Sequence, residues 1–550
     1  MAVVERSRPL GQVPVRAWLG WRSPLAGTVR AVVVPAAVTA WTMHSLALPG
    51  YVLQVDAIFG PREPLSLSGF GAPLSLIAHL LGGALAGRLF LAGTVFVCGF
   101  GPMFLFRRRT WIAQLPAGLL GMLNPWVYDR MVEGQWGVAA AAGVVFLWLS
   151  GWEALQREPG WRNALRCSLV AWCAVVLDVH VVAMLLLLAG LSLLWWRAWR
   201  EPRLVLWGAL SFVALAAMLS YALPPFFLGH NSTYYSVQHF GRPDLVEFRS
   251  TSSRRYGLWA NLLGLYGFWP ERLGRIPLLK AGAPWWPIST LVLVSVAGAG
   301  ALACRRRAWL LIAGIFGLAV AGSTATAPGQ SIFLWLMEHF PLVGSYREPQ
   351  KWSELWLVAL AVLGAELISW LADRHWSWGR LEVAGPVALL MTIAILLPAG
   401  LTAVRELPAT IIPVEYPSGW YRVAAYMEQH VGPKSPVVVL PWSLYETLPF
   451  TGNLLTDNPA PVFFPGRLIS PNDLQIPGQV SEARSPGNLT RVAVDANPNS
   501  CALASTLHRI GVHWALVEPA PGGGADAAAL LACGFRVQSG ALPGLALLQG

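Results

Sequence analysis

Pro49–Glu63 reads PGYVLQVDAIFGPRE. It follows the first long apolar segment directly and sets one acid, Asp56, among Tyr51, Val52, Leu53, Ile58 and Phe59. A carboxylate at the end of a membrane-length run is partly desolvated, which raises its pKa and makes it a stronger base. The alternative is an interfacial acid that pairs with Arg62 or caps a turn. Which reading applies depends on the solvent this loop meets, and the rest of the chain supplies that.

The 550 residues are 55% hydrophobic and 12% charged, where a soluble chain carries about 25% charged residues. Mean hydropathy is +0.52. With 28 Trp, a residue suited to membrane–water boundaries, this is the composition of a polytopic α-helical membrane protein. The net charge of +11 is unevenly spread: residues 406–550 carry −3 and the remainder +14. The excess therefore lies in loops between apolar segments, which is a topology signal and not a nucleic-acid surface.

Of the six Cys, Cys98, Cys167, Cys173 and Cys304 lie in apolar segments and read as small hydrophobes. Cys501 and Cys533 form a disulfide if their region meets an oxidising compartment, although spacing alone leaves this undecided. No C-x-x-C or His-rich spacing suggests a metal site, and the N-terminal tail lacks a cleavable signal.

Arg6, Arg8, Arg16, Arg22 and Arg30 place a cytoplasmic tail over 1–30. Residues 31–405 divide into about eleven transmembrane helices, near 31–48, 88–106, 110–127, 137–152, a pair within 167–196, 204–224, 287–304, 308–326, 354–372 and 382–404. The segment 73–87 reads as an interfacial helix. The run from Cys167 to Trp196 would make about 45 Å of helix, too long for one span of about 30 Å, so a break is expected at Asp178-Val179-His180. The loops placed in the cytoplasm carry 19 Arg, against Arg62, Arg130, Arg347 and Lys351 in the short outer loops. An odd number of spans then puts 406–550 outside the plasma membrane as an extracytoplasmic α/β domain. Its helices are expected over 418–431 and 501–512, its strands over 436–441, 513–518, 535–539 and 544–549, and long loops over 451–500.

Four polar groups stand out. Asp56 is the first. The second is Tyr128, Asp129, Arg130, Glu133, Gln135 and Trp136, a polar pocket between two helix ends or an ordinary hairpin in which Arg130 neutralises Glu133. The third is Asp178 with His180, which line a cavity or form a surface turn. The fourth is Arg254, Arg255, Arg272, Arg275, Lys280, Arg347 and Lys351, of which one or two could clamp a phosphate.

The motifs QVDAIF, Arg107-Arg108-Arg109, NPWVYDRMVEGQW and GSYREPQKW, in this order around an interfacial 73–87 segment, resemble the GT-C-type membrane glycosyltransferases. NPWVYDRMVEGQWG is also similar to the helix junction of actinobacterial arabinofuranosyltransferase-like membrane proteins. The resemblance covers roughly 30–405 as architecture. It implies a polyprenyl-phosphate sugar donor whose tail lies among helices and membrane lipids. The acceptor would be an envelope glycan, glycolipid or protein, and Asp56 an inverting general base. Tyr128, Asp129, Arg130, Glu133, Gln135, Asp178, His180, Arg254, Arg255, Arg347 and Lys351 would bind substrate. Asp56 is followed by Ala57, not by the second acid that several members carry, and no D-x-D occurs in the outer loops. A divalent cation is thus an option and not an implication. A lipid or solute transporter and a non-enzymatic envelope-assembly protein are the competing readings.

Overall fold

The computed structural model describes residues 23–67, 69–228, 233–374, 377–378, 381–471 and 501–550. The tail with Arg6, Arg8, Arg16 and Arg22, and most of the loops expected over 451–500, lie outside them. Helix α1 (Pro24–Thr42) starts at Ser23, whose hydroxyl accepts from the Ala26 amide at 3.1 Å. The Pro49–Glu63 loop follows, then α2 (Ala72–Leu81) and α3 (Gly83–Leu105). Gly82, at φ +75°, separates them. The interfacial helix expected over 73–87 is therefore shorter, and residues 83–87 open the next span.

After α3 come α4 (Trp111–Met122), α5 (Pro125–Glu133), α6 (Trp136–Arg157), α7 (Trp161–Leu177), α8 (Val181–Trp195) and α9 (Pro202–Met218). The break at Asp178-Val179-His180 lies where its sequence put it. The segment that follows holds α10 (Leu223–Phe227), α11 (Thr233–Gln238), α12 (Arg242–Glu247) and α13 (Gly257–Leu263). Next are α14 (Trp286–Ala303), α15 (Trp309–Ser323), α16 (Ala327–His339), α17 (Ser353–Arg374), α18 (Ala384–Ile395) and α19 (Leu401–Thr410).

Among the described residues six helices are long and apolar enough to cross a membrane, or eight if each of two bent pairs is one span. The chain is a multi-pass membrane protein. The difference from eleven has a local cause. The helices α4, α7 and α8 have 12, 17 and 15 residues, short of the roughly 20 a span needs. Asn124-Pro125 and Asp178–His180 interrupt them where polar side chains gather.

Close approach and burial hold the bundle together. A Cβ on Gly101 would stand 2.1 Å from the Gly143 carbonyl oxygen, so glycine lets α3 and α6 touch along their backbones. Residues 355–365 of α17 are buried on every face, as expected of a stretch that is apolar all round.

Beyond α20 (Ser418–His430), β1 (Pro436–Leu440) starts a five-stranded sheet. The hairpin β2 (Tyr445–Thr447) and β3 (Leu455–Asp457), α21 (Ala460–Phe463) and β4 (Arg467–Ile469) follow. Then come α22 (Ala502–Arg509), β5 (Trp514–Val517), α23 (Gly523–Ala532), β6 (Arg536–Gly540) and β7 (Ala546–Gln549). The sheet order is β4-β1-β5-β7-β6, with β1 parallel to β4 and β5, and β7 antiparallel to its neighbours. Alternation divides its faces. Val437 and Val439 pack with Trp420 of α20, while Val438 and Leu440 pack with Leu507 and Leu530 of α22 and α23. Cys501 and Cys533 are joined in a disulfide, their Cα atoms 5.5 Å apart.

The Pro49–Glu63 loop is the seam between bundle and sheet. Tyr51 and Val414 exchange backbone hydrogen bonds of 2.8 Å each, and the Asp457 amide donates to the Val55 carbonyl at 2.9 Å. Leu53 is buried in the same apolar cluster as Tyr416 and Trp420.

Candidate active site

The site is built on α5, and the sequence of that helix explains its position. Asn124 caps it by accepting from the Val127 amide at 3.0 Å, with Pro125 at the first helical position. The Asn124 amide also donates to the Leu120 carbonyl at 2.8 Å, tying α5 to α4. Gly134 ends the helix at φ +86°. One of the helix's free terminal carbonyls, Glu133, accepts from the Asp56 amide at 2.8 Å. The loop is thus docked on α5 by its catalytic candidate's own backbone.

A Cβ at position 134 would lie 2.6 Å from the Ala57 nitrogen and 2.8 Å from that of Asp56. Gly134→Ala is therefore strained in φ and pushes the Asp56 loop away. We expect a stability loss of about 1–3 kcal/mol together with loss of activity, read by the unfolding midpoint and by turnover.

The Asp56 side chain is exposed, between buried Val55 and Ala57. Tyr445 donates its hydroxyl to Oδ1 at 2.7 Å, and Gln135 donates Nε2 to Oδ2 at 2.9 Å. Arg62 is not its partner; it pairs with Glu428. Surrounding protein desolvates Asp56 and raises its pKa, while the two donated bonds oppose the rise. Burial, then the Asp56 charge, holds the Tyr445 hydroxyl protonated and able to donate.

Arg130 sits one step further in. It is fully buried, donates to Gln135 Oε1, and pairs with Glu348 Oε2 at 3.2 Å. Its guanidinium lies 3.8 Å from the Phe268 ring centroid. Arg130 therefore neutralises Glu348, not Glu133. Burial, then the Asp56 charge, pushes Glu133 up to about 9. Burial alone would raise Glu348, but Lys351, Arg130 and Arg347 hold it below its usual range. Glu133 and Glu348, both under the charge of Arg130, are thus driven apart in protonation, the arrangement by which a site separates a neutral acid from an ionised one.

Asp178 and His180 belong to the same assembly. His180 Nδ1 lies 2.5 Å from Asp178 Oδ1 and 3.2 Å from Lys351 Nζ, and Nε2 lies 2.8 Å from the Ser345 carbonyl. The pair is not a surface turn, since Asp178 is buried. Tyr128 and Asp129, also on α5, are buried.

The basic set divides. Lys351 joins the network, whereas Arg347 pairs with Asp244 at 3.0 Å and stacks on Phe240. Arg254 lines a separate cavity of about 540 Å³ with Arg249, Arg272 and Lys280. Arg255 is exposed and lies over Tyr256. Neither Arg254 nor Arg255 bonds to the Asp56 network. Among the described residues, no three His, Cys, Asp or Glu side chains are grouped to hold a metal ion.

This bundle, with its seam loop and C-terminal sheet, has solved counterparts. The fold is similar to that of a mycobacterial arabinofuranosyltransferase. Superposed on the cryo-EM structure of arabinofuranosyltransferase AftD from Mycobacteria, 98% of this chain aligns with a TM-score of 0.59 at 15% identity. One class of a point mutant of AftD gives 0.58, also at 15% identity over 98% of the chain. The chain spans about two fifths of AftD, 40% and 42% in these two structures. The architecture thus agrees with the GT-C resemblance of the sequence motifs. No protein-family model matches the sequence, and no curated protein matches it either.

Two members of the network are not apparent in the sequence. Glu348 stands in GSYREPQKW between two cations, Arg347 and Lys351, where an acid looks already neutralised. Tyr445 lies 389 residues from Asp56 in an unremarkable short strand, so only the docking of the sheet brings it in.

Proposed function

We propose that the protein is a membrane glycosyltransferase. It moves a sugar from a polyprenyl-phosphate donor to an envelope glycan, glycolipid or protein acceptor, with Asp56 as general base. The observation that carries this reading is an exposed carboxylate held by two donors at the edge of a buried charged network, in a fold similar to that of an arabinofuranosyltransferase. The acceptor hydroxyl gives its proton to Asp56 as its oxygen bonds to the anomeric carbon. The bond from that carbon to the phosphate oxygen breaks, and its electron pair leaves with the phosphate. One displacement inverts the anomeric centre. The leaving group is anionic, so cations serve it better than a strong acid. Lys351, in the same assembly as Asp56, offers one; Arg254, with Arg249 and Arg272, lines a separate cavity. Tyr128, Asp129, Arg130, Glu133, Gln135, Asp178 and His180 shape and charge the recess. Arg347 fixes the backbone next to Glu348.

The outer placement of this site in the plasma membrane rests on the distribution of arginine and on the Cys501–Cys533 disulfide, a bond of oxidising compartments. The tail is then cytoplasmic and the sheet extracytoplasmic.

The reading is tested by the anomeric configuration of the product, determined by NMR after purified protein has met a polyprenyl-phosphate-linked sugar and an oligosaccharide acceptor. Inversion supports a single displacement; retention contradicts Asp56 as base.

The pH profile gives a second check. A base whose pKa is raised is active above that pKa and loses activity as pH falls through it. Tyr445 donates to the ionised form, so Tyr445→Phe raises the Asp56 pKa further. The acid limb of kcat/KM moves to higher pH. A limb that stays put or moves down contradicts the assignment.

A further inference from the structure

A second charged cavity lies at the other end of the bundle. α3 starts beside the Asp56 loop, where Gly83 packs on Gly60 and Glu63, and its 23 residues lead about 34 Å away to Arg107–Arg109. There a recess of about 530 Å³ opens between the ends of α3, α6 and α7 and the turn before α15. Seven arginines line it against three glutamates.

Two of those glutamates are taken. Arg307 bonds Glu153 and Glu366 at 2.6 Å each, and Arg157 also reaches Glu153 at 3.2 Å. Arg109 pairs with Asp373 at 3.0 Å. Arg107 donates to the Ser150 hydroxyl and the Phe104 carbonyl, at 3.0 and 3.1 Å. Among the described residues Arg107, Arg108, Arg166 and Arg306 have no carboxylate within ion-pair distance.

Arginines that only mark topology can splay into water. These line one recess, Arg108, Arg166 and Arg306 from its exposed rim and Arg107 half-buried within it, where burial lowers the Arg107 pKa and the charges of Arg108 and Arg157 lower it further. The repulsion is relieved by an anion. The guanidinium forks, with the Ser150 hydroxyl beside them, form a donor-rich lining, which matches the oxygens of a phosphate.

We propose that this cavity binds a phosphate-bearing anion, supplied by a lipid headgroup or by a soluble phosphate ester. The site is independent of sugar transfer at Asp56, and its test reads binding, not turnover. The full chain is placed in nanodiscs of phosphatidylcholine alone and titrated with inorganic pyrophosphate by calorimetry. Saturable binding is expected, weakened about tenfold or more by Arg108→Gln with Arg166→Gln. Arg200→Gln, an exposed arginine at the same end that lies over Trp199, leaves it unchanged. Should the double variant fail to fold, Arg306→Gln alone is expected to weaken binding in the same direction. Competition by phosphatidylglycerol in the nanodisc identifies a headgroup as the occupant; undiminished pyrophosphate binding identifies a soluble ester. Absence of saturable binding, or equal affinity in the folded variants, overturns the proposal.

Discussion

Asp56→Asn is expected to slow sugar transfer about 10²–10⁴-fold, the usual contribution of a positioned base, with little change in the unfolding midpoint. The substitution keeps the size of the side chain and an oxygen for Tyr445 or Gln135, but an amide cannot take the acceptor's proton. The change removes a charge and adds none, and Tyr445 and Gln135 are left with no ion between them, so no charge is stranded. Transfer rates and thermal unfolding of the purified variant check both halves. A rate near that of the unaltered protein removes Asp56 from the chemistry.

Arg130→Met is expected to cost about 3–5 kcal/mol of stability, because it takes from the largely buried Glu348 the cation in direct ion-pair contact with it, leaving only the charges of Lys351 and Arg347 to hold it. The cation–π contact with Phe268 is lost as well. The same energetics predict a partial rescue. Arg130→Met combined with Glu348→Leu removes both members of the pair and recovers part of the loss, since no carboxylate is left buried beside the missing guanidinium. Unfolding in detergent micelles measures the cycle. Losses that simply add would contradict the pair.

Legibility followed the kind of signal. One break in an apolar run was readable: Asp178–His180 interrupts its helix where it stands, because ionisable groups act locally. Sheet strands were readable from β-branched runs such as Val437–Val439. The number of spans was not. Residues 111–122 are apolar enough for a membrane, yet the helix turns at Asn124 into α5, and hydropathy does not register that turn. The site was legible as four separate patches but not as one network. Lys351 meets Asp178 through His180, 171 residues away in sequence, and such convergence leaves no mark in spacing. Arg254 and Arg255 show the converse, since basic residues on the same segment look equivalent until the fold sends them to different surfaces.

The most direct test follows the lipid and the sugar in one preparation. The protein is reconstituted in liposomes with a polyprenyl-phosphate donor labelled in both its sugar and its lipid, together with an acceptor glycan. The account predicts that sugar label passes to the acceptor while polyprenyl phosphate is released mole for mole, and that Asp56→Asn suppresses both. Donor that crosses the bilayer with its sugar still attached, and no label on the acceptor, would show a transporter and contradict the central claim.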